Sequence, residues 1–173
     1  VELVVVGHPG ADYDGRDTAA MNGLFFKALI AFLALPGMVA FVIPLLLVTP
    51  SSRRHWVEPV GLLPLVVGLV VLGLTVREFY VAGRGTLAPW SPPRTLVTSG
   101  LYRHSRNPMY VGVLLILCGW AVGLRSWPLA IYAAGVAVAV HLRVLLHEEP
   151  FLARTHGEAW TAYRARVGRW LSW

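Results

Sequence analysis

Four apolar stretches, residues 24–48, 60–81, 109–124 and 127–146, constrain this 173-residue chain more firmly than any motif it carries. A helix that crosses a bilayer needs about 20 mainly apolar residues, with a working range of roughly 17 to 25. In hydrocarbon every backbone N–H and C=O must be paired within the structure, which an α-helix achieves by itself and an open sheet does not. The chain is 56% hydrophobic and 14% charged, with a mean hydropathy of +0.61, well outside the balance of soluble domains. The expectation is an all-α, polytopic membrane protein with about four transmembrane helices and a C-terminal amphipathic interfacial helix.

The stretches differ in detail. The first carries Lys27 near its start and Pro36-Gly37 in its middle, a predicted kink. The second runs without a charge from Val60 to Val76 and then meets Arg77 and Glu78, which must lie at the interface or face inward. The third, Met109 to Leu124, is the shortest, and it makes a tight hairpin with the fourth because only Arg125 and Ser126 precede Trp127. Three parts follow: a polar N-terminal extension over 1–20, helices one and two over 21–82, and a unit over 83–173. That unit holds a loop, helices three and four and the C-terminal helix. The apolar run Leu3–Val6 is too short for a span or a signal peptide.

Charge orients the spans. With four helices, Arg16, Lys27, Arg77, Arg84, Arg94, Arg103, Arg106, Arg143, Arg154, Arg164, Arg166 and Arg169 share one side, against Arg53, Arg54 and Arg125 on the other. The positive-inside rule puts the larger set in the cytosol. The net charge of +6 is then topological and suits anionic headgroups. It argues against nucleic acid as a partner, since the cations are dispersed around apolar helices. One Lys against 14 Arg, with abundant Ala, Gly and Val, suggests a GC-rich prokaryote and its cytoplasmic membrane.

Some chemistries are excluded by absence. The single Cys118, inside the third stretch, forms no disulfide framework or cysteine metal site. No P-loop, GxGxxG after a strand or GxSxG elbow occurs.

The polar chemistry gathers where the loop meets span three and where span four ends. The loop from Gly83 to Asn107 has Trp90, Pro89, Pro92 and Pro93 in its first half and is longer than a simple connector requires. Asn107-Pro108 is a helix start: proline suits the first turn, Asn107 is placed to cap it, and the free first-turn N–H groups suit a carboxylate or phosphate. Tyr110 and Gly112 follow, with Gly112 leaving room for a neighbouring helix or a ligand. In span four the spacings His141 to Glu148 and Arg143 to His147 place each pair on one face. Pro150 predicts a helix break at Glu149. Glu148 and Glu149 then need cations, either from a ligand or from Arg77, Arg106 or Arg143. In the tail, Trp160, Tyr163, Val167, Trp170 and Leu171 share an apolar arc with Glu158, Arg166 and Arg169 opposite, as in an interfacial helix or a lid.

The run Gly100-Leu101-Tyr102-Arg103-His104-Ser105-Arg106-Asn107-Pro108-Met109-Tyr110-Val111-Gly112, the pair Glu148-Glu149 and the closing Gly157-Glu158-Ala159-Trp160-Thr161-Ala162-Tyr163 resemble the isoprenylcysteine carboxyl methyltransferase and phospholipid methyltransferase superfamily. The resemblance covers about residues 77 to 173. It implies an S-adenosylmethionine-dependent methyltransferase with a cytosolic cofactor pocket at Tyr102, Arg106, Asn107, Pro108, Tyr110, Gly112, Glu148 and Glu149, and no metal. Within such a pocket the carboxylates suit the cofactor's ammonium and ribose hydroxyls, and Arg106 or the span-three N–H groups suit its carboxylate. Tyr102 or Tyr110 suits its adenine or sulfonium. If the acceptor arrives protonated, His141, His147 or a glutamate is a candidate base, and Arg143 is a candidate guide for a carboxylate or phosphate acceptor. Partners are membrane lipids and a lipophilic small molecule or lipidated substrate. Many isoprenylcysteine enzymes have His where Asn107 stands, which leaves the acceptor open.

Two other readings use the same residues. NADPH-dependent sterol-type reductases of membranes share a similar two-part pattern, but the consecutive Glu148-Glu149 and the Asn-Pro-Met-Tyr form fit the methyltransferases better. A non-enzymatic membrane subunit would use the charges only to join helices.

Overall fold

A computed structural model describes residues 33–48, 58–81 and 96–171. The N-terminal extension, Lys27, Arg53, Arg54 and the proline-rich part of the loop with Trp90 lie outside the described residues. Those described form helices and connecting turns, with no strand among them.

Helix α1 is wound as a π-helix over Leu33–Val42 and as an α-helix over Ile43–Leu47. A 3-10 turn at Pro59–Gly61 leads into α2, Leu62–Val81. A second 3-10 turn, Gly100–Arg103, precedes α3, Pro108–Gly123. Leu124 and Arg125, the latter at φ 47°, turn the chain into α4, Trp127–Arg143. A π turn at Val144–Glu148 joins α4 to α5, Glu149–Arg166.

The expected break at Pro150 does not occur. Helical angles persist through Glu148 and Glu149, and Pro150 falls in the first turn of α5. In a regular α-helix its ring would clash with the carbonyl four residues earlier. The wider winding of Val144–Glu148 immediately precedes it and relieves that crowding. The departure from helical geometry lies seven residues beyond, at Gly157, with φ 49° and ψ −119°. The helical stretch Trp127–Arg166 is 40 residues, which would measure about 60 Å if straight, twice the hydrocarbon thickness.

The apolar surfaces face outward. Only 22% of the most apolar window of Pro59–Glu78 and 17% of that in Trp127–Arg166 is buried within the protein. Leu63 and Val60 are each 70% exposed and Trp127 73%. A core helix of a soluble protein would be covered, so this pattern is that of a membrane protein. Cys118 also faces outward, and not into the packed interior. The helices Pro36–Leu47 and Pro108–Gly123 are apolar but shorter than the other two.

Inside, Ala40, Leu72, Val113, Ile116, Leu117 and Ala133 join α1, α2, α3 and α4. Glycines bring α2 and α3 to backbone contact: a Cβ on Gly68 would sit 2.7 Å from the Gly112 carbonyl oxygen, and one on Gly119 2.6 Å from Leu65 Cβ. Two aromatic donors complete α1. Pro44 has no N–H to give to the carbonyl of Ala40, four residues earlier, or of Val39, five earlier. Trp120 Nε1 donates to Ala40 O at 3.1 Å and Tyr132 Oη to Val39 O at 3.0 Å. Trp120→Phe should leave the Ala40 carbonyl unpaired and cost about 1 to 3 kcal/mol, read as earlier thermal unfolding in detergent.

Candidate functional site

The site forms where the entrance of α3, the end of α4 and the chain after α5 meet. Glu148 closes the π turn. Tyr110 Oη donates to its Oε1, and Arg143 Nε donates to the same oxygen at 2.8 Å. The second pairing spans five residues, as π winding permits. Arg143 also shares a face with His147, as their spacing implies: both line an open groove of about 410 Å³ with Ala139, Leu142 and Leu146. Glu148 Oε2 has no partner among the described residues.

Glu149 is engaged differently. Its side chain is 10% exposed, and Arg106 Nη1, on a side chain only 8% exposed, lies 2.9 Å from Oε1. Arg169 donates Nε to Oε1 at 2.7 Å and Nη2 to Oε2 at 3.0 Å, a two-pronged grip. That hydrogen bonding is the main reason the Glu149 carboxyl is held below its ordinary value; burial opposes it, and Arg106 adds to the lowering. For Arg106 the order is reversed: burial lowers it and Glu149 pushes back. Its guanidinium stacks 5.4 Å from the Trp160 ring, and its contact to Glu149 lies off the N–H direction. Arg106 Nε and Trp160 Nε1 are buried donors without hydrogen-bond partners among the described residues.

The chain after α5 folds over this cluster. Val167 takes extended angles and ends the helix. The Arg106 N–H then donates to Gly168 O at 3.0 Å, and Asn107 Nδ2 to Arg169 O at 3.0 Å. The Asn107 side chain therefore does not cap α3, although Asn107 occupies the capping position. Trp160, Tyr163 and Val167 form a second core against Leu96 and Leu152. Tyr163 Oη donates to Tyr102 O at 2.8 Å, and burial pushes its phenol up to about 12, so it remains a donor at physiological pH. Tyr102 is itself buried, which raises its hydroxyl well above its ordinary value; Tyr163, Glu148, Tyr110 and Glu78 contribute in that order.

Among the residues singled out from sequence, Tyr102, Arg106, Asn107, Tyr110, Arg143, Glu148 and Glu149 belong to one connected polar region. Pro108 is buried at the start of α3. Gly112 packs on α2, its built Cβ 3.0 Å from Leu72 N and 3.1 Å from Gly68 O, so it serves the helix contact. His141 stacks on Trp170 at 5.9 Å and 26°, and not on Glu148. Arg77 pairs weakly with Glu78 at 3.7 Å, and with neither member of the Glu pair.

Two residues gain importance that sequence reasoning did not give them. Glu78 accepts from Ser99 Oγ at 2.9 Å and lies against Gly100, whose φ of 56° and lack of Cβ let the loop approach. The periodicity of the tail places Arg169 on the polar face of an interfacial helix, whereas its guanidinium grips Glu149. Gly168, a helix-stop residue directly before Arg169, is the available signal that the periodicity ends sooner.

Acid should loosen this clasp. Because the folded-state value of Glu149 is depressed, its contribution is present above the ordinary carboxyl value of 4.5 and is lost as pH falls through the lower folded-state value. Hydrogen exchange at residues 104–107 should therefore be flat from pH 8 to 5, after correction for intrinsic rates, and rise below about pH 4.5.

The family model of phospholipid methyltransferases matches residues 59–159, from the start of α2 into α5. This reaches further back than residue 77, where the motif resemblance begins. The chain is also 24% identical over 157 residues to protein-S-isoprenylcysteine O-methyltransferase A of Arabidopsis thaliana, covering 88% of this chain and 78% of that relative.

Proposed function

The chain belongs to the phospholipid methyltransferase family, and on that premise we propose that it transfers methyl from S-adenosylmethionine to a lipophilic acceptor. The observation that carries this reading is the polar region at the entrance of α3, where the Glu148 Oε2 oxygen and the buried Arg106 Nε–H have no partners among the described residues, beside two tyrosines.

The donor set fits the cofactor. Glu148 Oε2 would receive its ammonium or ribose hydroxyls. Arg106 Nε and the first-turn N–H groups of α3, which no side chain caps, would receive its carboxylate. Tyr102 and Tyr110 would line the same space, and Glu149 would hold Arg106 in place. When bound, S-adenosylmethionine supplies an electrophilic methyl on a sulfonium whose charge is lost on transfer, so the reaction asks mainly for alignment and exclusion of water. Alignment alone is worth up to about 7 to 11 kcal/mol. Trp160, Tyr163 and Val167 keep water from the side of the tail.

The acceptor would reach Arg143 from the groove lined by Ala139, Leu142, Leu146 and His147. Apolar walls ending in an exposed arginine suit an amphiphile with an acidic head, such as an isoprenylcysteine-like carboxylate or a related small lipid. Arg143 would orient that head. A carboxylate acceptor is already nucleophilic, whereas an acceptor arriving protonated would require a base, for which His141 is one candidate beside His147 and the glutamates. In this reading the protein crosses a prokaryotic cytoplasmic membrane four times, with the site on the cytosolic side.

Glu148→Gln should weaken S-adenosylmethionine binding about 10- to 100-fold while the thermal unfolding midpoint changes little, because Tyr110 and Arg143 keep an oxygen to bond. Incubation of the purified protein with a lipid extract and methyl-labelled S-adenosylmethionine should yield a labelled lipid that is absent with Glu148→Gln. No labelled lipid from the wild-type protein, across extracts containing acidic and amine lipids, would count against this function.

A further inference from the structure

We infer that Arg169 is a positioning residue for the cofactor pocket, and that Gly168–Trp170 is a strap that completes the pocket from outside the helices. This rests on the cofactor reading above and extends it to residues beyond the family match, which ends at 159.

Three consecutive residues tie together parts far apart in sequence. Gly168 O accepts from the Arg106 backbone N–H at 3.0 Å, and Arg169 O accepts from Asn107 Nδ2 at 3.0 Å and Ser105 Oγ at 3.4 Å. The Arg169 guanidinium grips both oxygens of Glu149, and the Trp170 ring lies on His141. The strap thus fixes the loop that carries Arg106, the Asn107 entrance of α3, the first residue of α5 and the last turn of α4.

This separates the roles of the adjacent carboxylates. Glu149 has both oxygens occupied by arginine, so it acts through Arg106 and Arg169, while Glu148 keeps a free oxygen for the ligand. The planar fork of an arginine matches a carboxylate on two sides, which a lysine ammonium does not. Gly157 brings the strap within reach: its φ of 49° and ψ of −119° bend α5, and Trp160 and Tyr163 pack beyond the bend. That conformation is open to glycine and strained for any residue with a Cβ.

The test uses the full chain in detergent and two readouts. S-adenosylmethionine is titrated calorimetrically into wild type, Arg169→Ala, Arg169→Lys and, as a control on an exposed neighbouring arginine, Arg166→Ala. Exchange protection of residues 104–107 is measured in each without ligand. Arg169→Ala and Arg169→Lys should each bind about 10-fold or more weakly and lose protection at 104–107, while Arg166→Ala matches wild type. Millimolar guanidinium ion should restore part of the affinity of Arg169→Ala, which it would not do for a globally misfolded chain. Binding by Arg169→Ala within twofold of wild type, or protection at 104–107 unchanged in it, would overturn the strap. Failure of wild type itself to bind S-adenosylmethionine would overturn the function proposed above, and with it the role of the strap in holding that cofactor.

Discussion

Glu149→Ala should destabilise the protein by about 3 to 5 kcal/mol, because it strips the counter-ion from a buried arginine. The Arg106 side chain is 8% exposed and has no other carboxylate contact among the described residues, whereas Arg169, at 26%, has more access to solvent. The cost therefore falls mainly on Arg106. Removing both charges should reverse much of it: Glu149→Leu with Arg106→Met replaces an ion contact by apolar volume, a change that is often neutral or stabilising. The double variant should unfold at a higher temperature than Glu149→Ala and still fail to bind S-adenosylmethionine, since Arg106 Nε would be gone. A double variant no more stable than the single one would show that Glu149 matters for some reason other than the charge of Arg106.

A comparable effect is expected at a distance from any charge, in the seam between α2 and α3. A Cβ on Gly61 would lie 2.3 Å from Gly123 N, and one on Gly68 2.7 Å from both Gly112 O and Ile116 N. These are backbone atoms, so the helices must part. Overpacking of this kind costs about 1 to 3 kcal/mol and sometimes more. Gly61→Ala and Gly68→Ala should each lower the unfolding midpoint and loosen the packing along the seam. Gly73 is the internal comparison, since a Cβ there meets nothing within 4 Å. Gly73→Ala should be neutral or stabilising by up to about 1 kcal/mol through helix propensity. Gly112 belongs to this seam, two residues from Tyr110, so separation of the helices should also disturb the entrance of the site.

Much of this architecture was legible because hydropathy and helix boundaries rest on local physics. The apolar runs, the Arg125-Ser126 hairpin and the start of α3 at Pro108 follow from span length and proline's missing N–H. The grouping of Tyr102, Arg106, Asn107, Tyr110 and the Glu pair was legible through a motif. What was not legible depended on winding and on long-range partners. Arg143 is among the cations expected to meet the Glu pair, and it does, but its five-residue spacing to Glu148 needs a π turn that spacing at 3.6 residues per turn does not give. Pro150 reads as a break because nothing local reveals that the preceding turn widens to accept it. Of the apolar arc of the tail, which reads as the face of an interfacial helix or a lid, Trp160, Tyr163 and Val167 are buried within the protein. Extending that arc to Trp170 and Leu171 passes the end of the helix at Arg166, and so misplaces Arg169. Which of two adjacent carboxylates keeps an oxygen free is decided in part by Arg169 and Arg106, 20 and 43 positions away from Glu149, and no periodicity contains that.

In the function proposed here, the polar region at the entrance of α3 holds S-adenosylmethionine. Calorimetric titration of the purified wild-type chain with S-adenosylmethionine, and separately with NADPH, tests it most directly. The expected result is saturable binding of S-adenosylmethionine at one site per chain, weakened by Glu148→Gln, and no binding of NADPH. Saturable binding of NADPH with none of S-adenosylmethionine would overturn this function and make the same residues those of a reductase.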